Sequence, residues 1–252
     1  MSLCSGQCSH VPTLCSVRYQ PGSSDTRFDR AWYSAALVQG TTAHYLLCDS
    51  CTVQPGDWVL IHAAAGGTGA ALVQVAKIKG ARVLATCSTA EKASYVRELG
   101  ADHALLYSEN GGDWVSTVRE LTDGQGVAAV FDGVGRDTFL KGFECLRAHR
   151  GAMVMFGEAS GAPEPFDVTQ LTMYGSATLS YPSGGDFSTT PEQLRVRAGE
   201  VFQWMAEGSL RMRWTALPLG EAARAHELLE GRETIGKLLL VPMAGGGGGA
   251  RL

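Results

Sequence analysis

From residue 58 to residue 180 the sequence alternates between short apolar runs and stretches with helical spacing. The apolar runs are Trp58-Val59-Leu60-Ile61, Arg82 to Thr86, Ala104-Leu105-Leu106, Val127 to Phe131, Ala152 to Phe156 and Ala177 to Ser180. Helical spacing fills the segments through Leu72–Lys77, from Ala90 to Leu99, from Trp114 to Leu121 and near Phe139 to Leu146. Strands that are apolar throughout, rather than at every second residue, are buried on both faces, and helices between them make the sheet parallel. Six such strands predict an α/β fold, the doubly wound parallel sheet of the Rossmann type.

On the amino side, Ala35-Ala36-Leu37-Val38 to Tyr45-Leu46-Leu47 reads as a lead-in helix, closed off by the turn Pro55-Gly56-Asp57. On the carboxyl side the pattern predicts a helix from Pro191 to Ala206, a short strand at Arg211-Met212-Arg213-Trp214, a helix from Gly220 to Glu230 and a strand at Leu238 to Val241. The first 30 residues are rich in Ser, Cys, Pro and Gly without a period, and Gly245 to Gly249 form a spacer. The expected organisation is a disordered leader over 1–30, a dinucleotide-binding domain over 31–216, a C-terminal helix and strand over 217–243 and a flexible tail over 244–252.

With 45% apolar and 18% charged residues the chain can bury a sizeable core. Its 25 acidic residues against 21 basic ones argue against nucleic acid as a partner, since phosphate binding rests on clustered Lys and Arg. No apolar run reaches the roughly 20 residues of a spanning helix, so no membrane partner is expected. No secretory signal is read at the start, and seven cysteines, an odd number, suit reduced thiols. A cytoplasmic location follows as an expectation. Ala250-Arg251-Leu252 offers an alternative, because it resembles the small-basic-leucine peroxisomal address.

The sharpest local signal is Ile61-His62-Ala63-Ala64-Ala65-Gly66-Gly67-Thr68-Gly69, placed where the first strand turns into the first helix. Against the pattern G-x-G-x-x-G, Ala64 stands first, Gly66 second and Gly69 third. The second position lets the backbone approach a pyrophosphate, and the third lets helix and strand pack closely. Amides of Gly67 and Thr68 then face the phosphates, helped by the helix dipole. An ordinary tight turn is the bland reading, and the βα context weighs against it.

The second strand selects the dinucleotide. NAD sites place a carboxylate about 20 residues beyond the loop, on the ribose hydroxyls. Here the strand runs out as Thr86-Cys87-Ser88-Thr89, and Glu91 and Lys92 follow. Small hydroxyl residues with a cation suit a 2′-phosphate, so NADPH is the expected cofactor. Alternatively, Glu91 and Lys92 merely decorate a helix start. The missing acid also counts against an adenosylmethionine site, and no Tyr-x-x-x-Lys signature of short-chain reductases is present.

Beyond these motifs, Gln39-Gly40-Thr41-Thr42-Ala43-His44-Tyr45, Pro55-Gly56-Asp57, the glycine loop, Ser88-Thr89-Ala90-Glu91-Lys92, Gly100-Ala101-Asp102-His103, Asp132-Gly133-Val134-Gly135, Phe156-Gly157 and Gly236-Lys237-Leu238-Leu239-Leu240-Val241-Pro242 follow one another in order. In them the chain resembles the zinc-independent quinone oxidoreductases, zeta-crystallin among them, of the medium-chain dehydrogenase/reductase superfamily. The resemblance implies NADPH-dependent reduction of a quinone or conjugated carbonyl without metal, and a homodimer formed through an edge strand. It implies that Thr42 meets the nicotinamide, that Gly66 to Gly69 hold the pyrophosphate and that Ser88 and Lys92 take the 2′-phosphate. Tyr107 would lie on the adenosine side, Phe156 and Gly157 along the nicotinamide ribose, and Arg232 would close on the cofactor. No catalytic residue is assigned.

The departures bear on function. Family members begin with a barrel-like, GroES-like substrate domain, which the segment before Ala31 does not resemble; residues 217–243 are a remnant that in relatives returns to that domain. The strand Leu238 to Val241 is therefore expected to lack a sheet to join. An impaired NADPH-binding module is the alternative to a working reductase. Glu158 stands where an amide or hydroxyl residue is common and Tyr181 where an arginine is. Zinc-using relatives place a cysteine near Val38-Gln39-Gly40, and Cys48-Asp49-Ser50-Cys51 lacks the second pair of a closed zinc site. No metal is expected.

Overall fold

The computed structural model describes residues 30–242. The expected leader, apart from Arg30, and the expected tail with Ala250-Arg251-Leu252 lie outside the described residues. Six strands, β1 (Trp58–Ile61), β2 (Arg82–Cys87), β3 (His103–Leu106), β4 (Ala129–Asp132), β5 (Ala152–Met155) and β6 (Thr178–Ser180), form one sheet in the order β3-β2-β1-β4-β5-β6. Every pairing in it is parallel. This is the doubly wound order, with its reversal between β1 and β4.

Helices cover both faces. On one lie α1 (Arg30–Cys48), α2 (Gly67–Ile78), α3 (Ala90–Glu98) and α6 (Pro191–Ala206); α4 (Trp114–Leu121) and α5 (Phe139–Cys145) lie on the other. The strand residues divide accordingly. Val59, Ile61, Ala129 and Phe131 join the first cluster, while Leu60 and Val130 join the second. All six are essentially buried. A fully buried side chain of Leu, Ile or Phe size contributes ~1.5–3 kcal/mol, which is why the runs read as continuously apolar.

Three sequence expectations need correcting. The fourth strand starts at Ala129 rather than Val127, because the Val127 amide donates to the Cys145 carbonyl and Val127 forms only an isolated bridge to Leu146. The strand expected over Arg211–Trp214 is displaced to β7 (Trp214–Pro218). Gln74, buried on α2, takes both backbone groups of Arg211: Nε2 donates to its carbonyl at 2.9 Å and Oε1 accepts from its amide at 2.7 Å. The last strand, β8 (Lys237–Val241), does have a partner, pairing in parallel with β7 in a separate two-stranded sheet. Between them runs α7 (Ala222–Glu230).

α1 docks on α6 through aromatic contacts, Trp32 stacking on Phe202 at 5.7 Å and Tyr33 meeting the same ring edge-on at 4.9 Å. Beside them His44 is buried but fully paired. Its Nδ1 lies 2.6 Å from the Arg197 guanidinium and its Nε2 lies 2.7 Å from a Glu200 carboxylate oxygen. A guanidinium only donates, so Nδ1 is the lone pair and Nε2–H donates to Glu200, which makes the ring neutral.

Burial pushes His44 below the ordinary 6.5, and it does the same to the wholly buried His62. The unfolded chain then takes up protons near pH 6.5 that the folded chain refuses, so stability is full above that pH and falls as pH drops below it. Thermal melts should show a lower Tm at about pH 5.5 than at about pH 7.5. An equal or higher Tm at the lower pH would contradict neutral burial of these two rings.

Candidate functional site

Where strand order reverses, helices leave β1 and β4 toward opposite faces and open a crevice at the carboxyl ends of the strands. The loop after β1 sits there. Ala63 adopts a left-handed conformation (φ 49°), the Ala64 amide is tied to the Thr86 carbonyl at 3.1 Å, and Gly66 precedes α2. No side chain caps the opening amides of α2, which stand at the positive end of the helix dipole. Gly69 meets its expected requirement, because a Cβ there would lie 2.5 Å from the Ala63 carbonyl oxygen and 2.7 Å from the Ala64 Cα.

At the end of β2, exposed Ser88 and mostly buried Lys92 come together. Thr89 caps α3 by accepting from the Lys92 amide at 3.3 Å, which sets Lys92 one turn along from Ser88. The Lys92 ammonium donates to Ser88 Oγ at 3.1 Å and to the Arg232 carbonyl at 2.5 Å. Arg232, itself left-handed (φ 56°), sends its guanidinium the other way to the Ala159 carbonyl at 3.1 Å. The segment after α7 is thus a strap over the crevice. It is pinned further on, where the Gly236 amide donates to the Ala65 carbonyl at 2.8 Å and Gly236 bridges Gly66. At Gly236 (φ 74°) a Cβ would collide with the Arg213 carbonyl.

Beneath the strap lies a cleft of about 240 Å³. Of the residues expected at a site, it brings together Gly66, Ser88, Lys92, Tyr107 and Arg232. Ala64, Gly67, Thr68 and Gly69 form the adjoining loop and first helical turn, with Ala64 and Gly69 buried. Thr42, on α1, and Phe156 and Gly157, after β5, do not line it. The Phe156 amide donates to the Asp132 carbonyl at 2.8 Å, which holds that pair on the β4–β5 side of the crevice.

Residues absent from the sequence expectations also line the cleft, among them Ala63, Ala65, Cys87, Val134, Ala159, Leu229 and Thr234. The first two flank the glycine loop and could have been found from it. Cys87 lies beside Ser88 in the run that ends β2 and Val134 in the Asp132–Gly135 motif, whereas Ala159, Leu229 and Thr234 come from other segments and carry no local signal. Burial pushes the Cys87 thiol up to about 11, so it is a protonated wall rather than a nucleophile. Below the floor, buried Asp132 accepts from the Val134 amide at 2.7 Å, the Gly135 amide at 3.1 Å and the Thr138 hydroxyl, shaping the turn after β4. Among the described residues no three His, Cys, Asp or Glu side chains gather in a group that could hold a metal ion.

Comparison with known proteins gives the family. The model of the zinc-binding dehydrogenase domain matches residues 67–197, just over half of the chain. The 2-haloacrylate reductase of Burkholderia sp. is 39% identical over 222 residues, covering 87% of this chain and 66% of that protein. Among solved structures, the quinone oxidoreductase of Pseudomonas syringae pv. Tomato DC3000 superposes with a TM-score of 0.81 at 35% identity, covering 87% of this chain and 66% of that one. The Escherichia coli quinone oxidoreductase complexed with NADPH gives 0.79 at 38% identity, covering 83% and 64%. The chain spans just under two thirds of the length of the curated relatives it matches. The doubly wound sheet, the glycine loop at its switch point and these likenesses together mean that the chain belongs to the zinc-binding dehydrogenase family, in the quinone oxidoreductase group of the medium-chain dehydrogenase/reductase superfamily.

Proposed function

We propose that this chain binds NADPH and belongs to a reductase that passes reducing equivalents to a quinone or another conjugated carbonyl. The observation carrying this reading is the end of the cleft at β2. A hydroxyl and an ammonium converge there 3.1 Å apart, with no carboxylate where an NAD site keeps one. The donor set fits a 2′-phosphate, which brings negative charge and acceptor oxygens. The start of α2, free of capping side chains and built on Gly66, Gly67 and Gly69, fits a diphosphate. At about 240 Å³ the cleft is smaller than the ~300–1,000 Å³ typical of whole ligand pockets, so it takes one end of an extended ligand.

In this reading NADPH, when bound, supplies the reducing equivalents, and the chain contributes position and electrostatics. The amides of Gly67 and Thr68 balance diphosphate charge. Lys92 and Ser88 hold the 2′-phosphate, and Tyr107 borders the adenosine half. Arg232 closes the mouth, with Leu229 and Val134 excluding water beside it. Thr42, Phe156 and Gly157 are assigned to the nicotinamide half. The acceptor's carbonyl is polarised without metal, since the donor set for zinc does not fit: Val38-Gln39-Gly40 stand where zinc-using relatives keep a cysteine. A homodimer through an edge strand of this sheet belongs to the same proposal.

Calorimetry with NADPH and NADH, followed by quinone-dependent NADPH oxidation, tests it. The expected result is binding that favours NADPH together with turnover. Binding without turnover would make the chain a nucleotide-binding module, and a preference for NADH would overturn the cofactor assignment. No helix among the described residues is long and apolar enough to cross a membrane. A fluorescent fusion, read for diffuse or punctate signal, decides between the cytoplasm and the peroxisomal address at Ala250-Arg251-Leu252.

A further inference from the structure

His62 is completely buried directly after β1, and neither the cofactor contacts nor the core packing account for its polar atoms. Its Nδ1 lies 2.8 Å from Thr86 Oγ1 and 3.3 Å from Tyr107 Oη, while its Nε2 has no partner. The ring is held from two sides, stacked near Tyr107 at 6.0 Å and edge-on to Trp114 at 4.8 Å. Thr86 Oγ1 is in turn 2.9 Å from Tyr107 Oη, and the Ala63 amide donates to that same phenol oxygen at 3.0 Å. The His62 and Thr86 side chains, from the ends of β1 and β2, and the Ala63 amide therefore converge on the phenol oxygen of Tyr107, a residue that follows β3 and lines the cleft.

Counting protons gives this cluster a direction. Burial keeps the His62 ring neutral, so it carries a single N–H. With that hydrogen on Nε2, a buried donor is left without an acceptor, which is the costlier kind of orphan. With it on Nδ1, the ring donates to Thr86, Thr86 donates to Tyr107, and only a lone pair on Nε2 is left over. The phenol oxygen then receives two hydrogen bonds, from Thr86 and Ala63. Thr86 Oγ1 also lies 3.4 Å from the Ile61 carbonyl, a longer contact than the 2.9 Å to the phenol, so its proton goes to Tyr107. The phenol's own proton is then left without an acceptor in the cluster, and Tyr107 lines the cleft.

We infer that His62 and Thr86 are positioning residues that make the Tyr107 phenol a fixed hydrogen-bond donor into the cleft, toward a phosphate or ribose oxygen of the bound nucleotide. The same phenol oxygen holds the amide of left-handed Ala63, so the relay also sets the shape of the glycine loop. This inference rests on the NADPH reading and adds to it a donor whose orientation comes from behind the site.

The test uses isosteric pairs on the full chain. Asn at position 62 can offer its amide where Nδ1 stands, whereas Gln offers it near Nε2; Ser at position 86 keeps the hydroxyl and Val removes it. NADPH dissociation constants are measured by fluorescence titration, with Tm recorded alongside. Tyr107→Phe, His62→Gln and Thr86→Val should each weaken binding about tenfold, the worth of one buried hydrogen bond. His62→Asn and Thr86→Ser should stay within about twofold of the parent. In a Tyr107→Phe background the His62→Gln and Thr86→Val losses should vanish, because a relay has nothing left to orient. Losses that persist in that background, or His62→Gln binding as tightly as the parent, would overturn the inference. If His62→Gln does not fold, the Thr86→Val and Thr86→Ser pair carries the comparison. A parent chain that fails to take NADPH would sink the cofactor reading and this one with it, whereas normal parent binding with unaffected variants sinks this one alone.

Discussion

Gly69→Val should cost about 3 kcal/mol of stability, the upper end of what overpacking a tight contact usually costs. The obstacle is backbone on both sides: the Ala63 carbonyl oxygen lies 2.5 Å, and the Ala64 Cα 2.7 Å, from where the new Cβ would stand. A flexible side chain could swing away, but these atoms belong to the loop that carries the opening amides of α2. Relief requires α2 to retreat from β1, and α2 buries Leu72, Val73 and Val75 in the main core. For a chain of this size the loss corresponds to a Tm lower by roughly 10 °C. Nucleotide binding should fall even at temperatures where the variant is folded, since the amides move with the helix. A melt within a degree or two of the parent would mean that helix and strand approach less closely than the geometry states.

Lys92→Met should erase discrimination between the two nicotinamide coenzymes. The methionine keeps most of the buried stem, so packing is largely preserved and the ammonium is what is lost. Charge-assisted hydrogen bonds contribute about 1.5–3 kcal/mol, so affinity for NADPH should fall roughly 10- to 100-fold. Affinity for NADH, which has no 2′-phosphate, should change by less than about threefold. Because the ammonium also holds the Arg232 carbonyl, the comparison separates two roles. Equal weakening of both coenzymes would assign Lys92 to the strap alone, and paired titrations by calorimetry read the difference directly.

Much of this was legible in the sequence because it is local. The strand β1, the N-terminus of α3 with Ser88 and Lys92 four residues apart, and the helix Pro191–Ala206 behind its Thr190 capping box all announce themselves within a few residues. The misplacement of β7 has a specific cause. Arg211 to Trp214 alternates like a strand, yet the Gln74 side chain, 137 residues away, already occupies the backbone of Arg211, so pairing begins only at Trp214. Val127 likewise reads as strand, yet the Cys145 carbonyl takes its amide. In the site, the glycine loop and the β2 terminus could be read directly. The link from Lys92 to Arg232 spans 140 residues and that from His62 to Tyr107 spans 45, and no periodicity encodes either.

The strap has a consequence for biosynthesis. Strands β1 to β6 end at Ser180, whereas Arg232 and Gly236 follow more than fifty residues later. On a ribosome extending the chain at ~5–20 residues per second, the sheet can be assembled while the roof of its crevice is still untranslated. A nascent polypeptide arrested after α6 would then possess the diphosphate cradle but not the closing arginine. Under the proposed reading, coenzyme capture waits for the strap, which is made only after the whole six-stranded sheet.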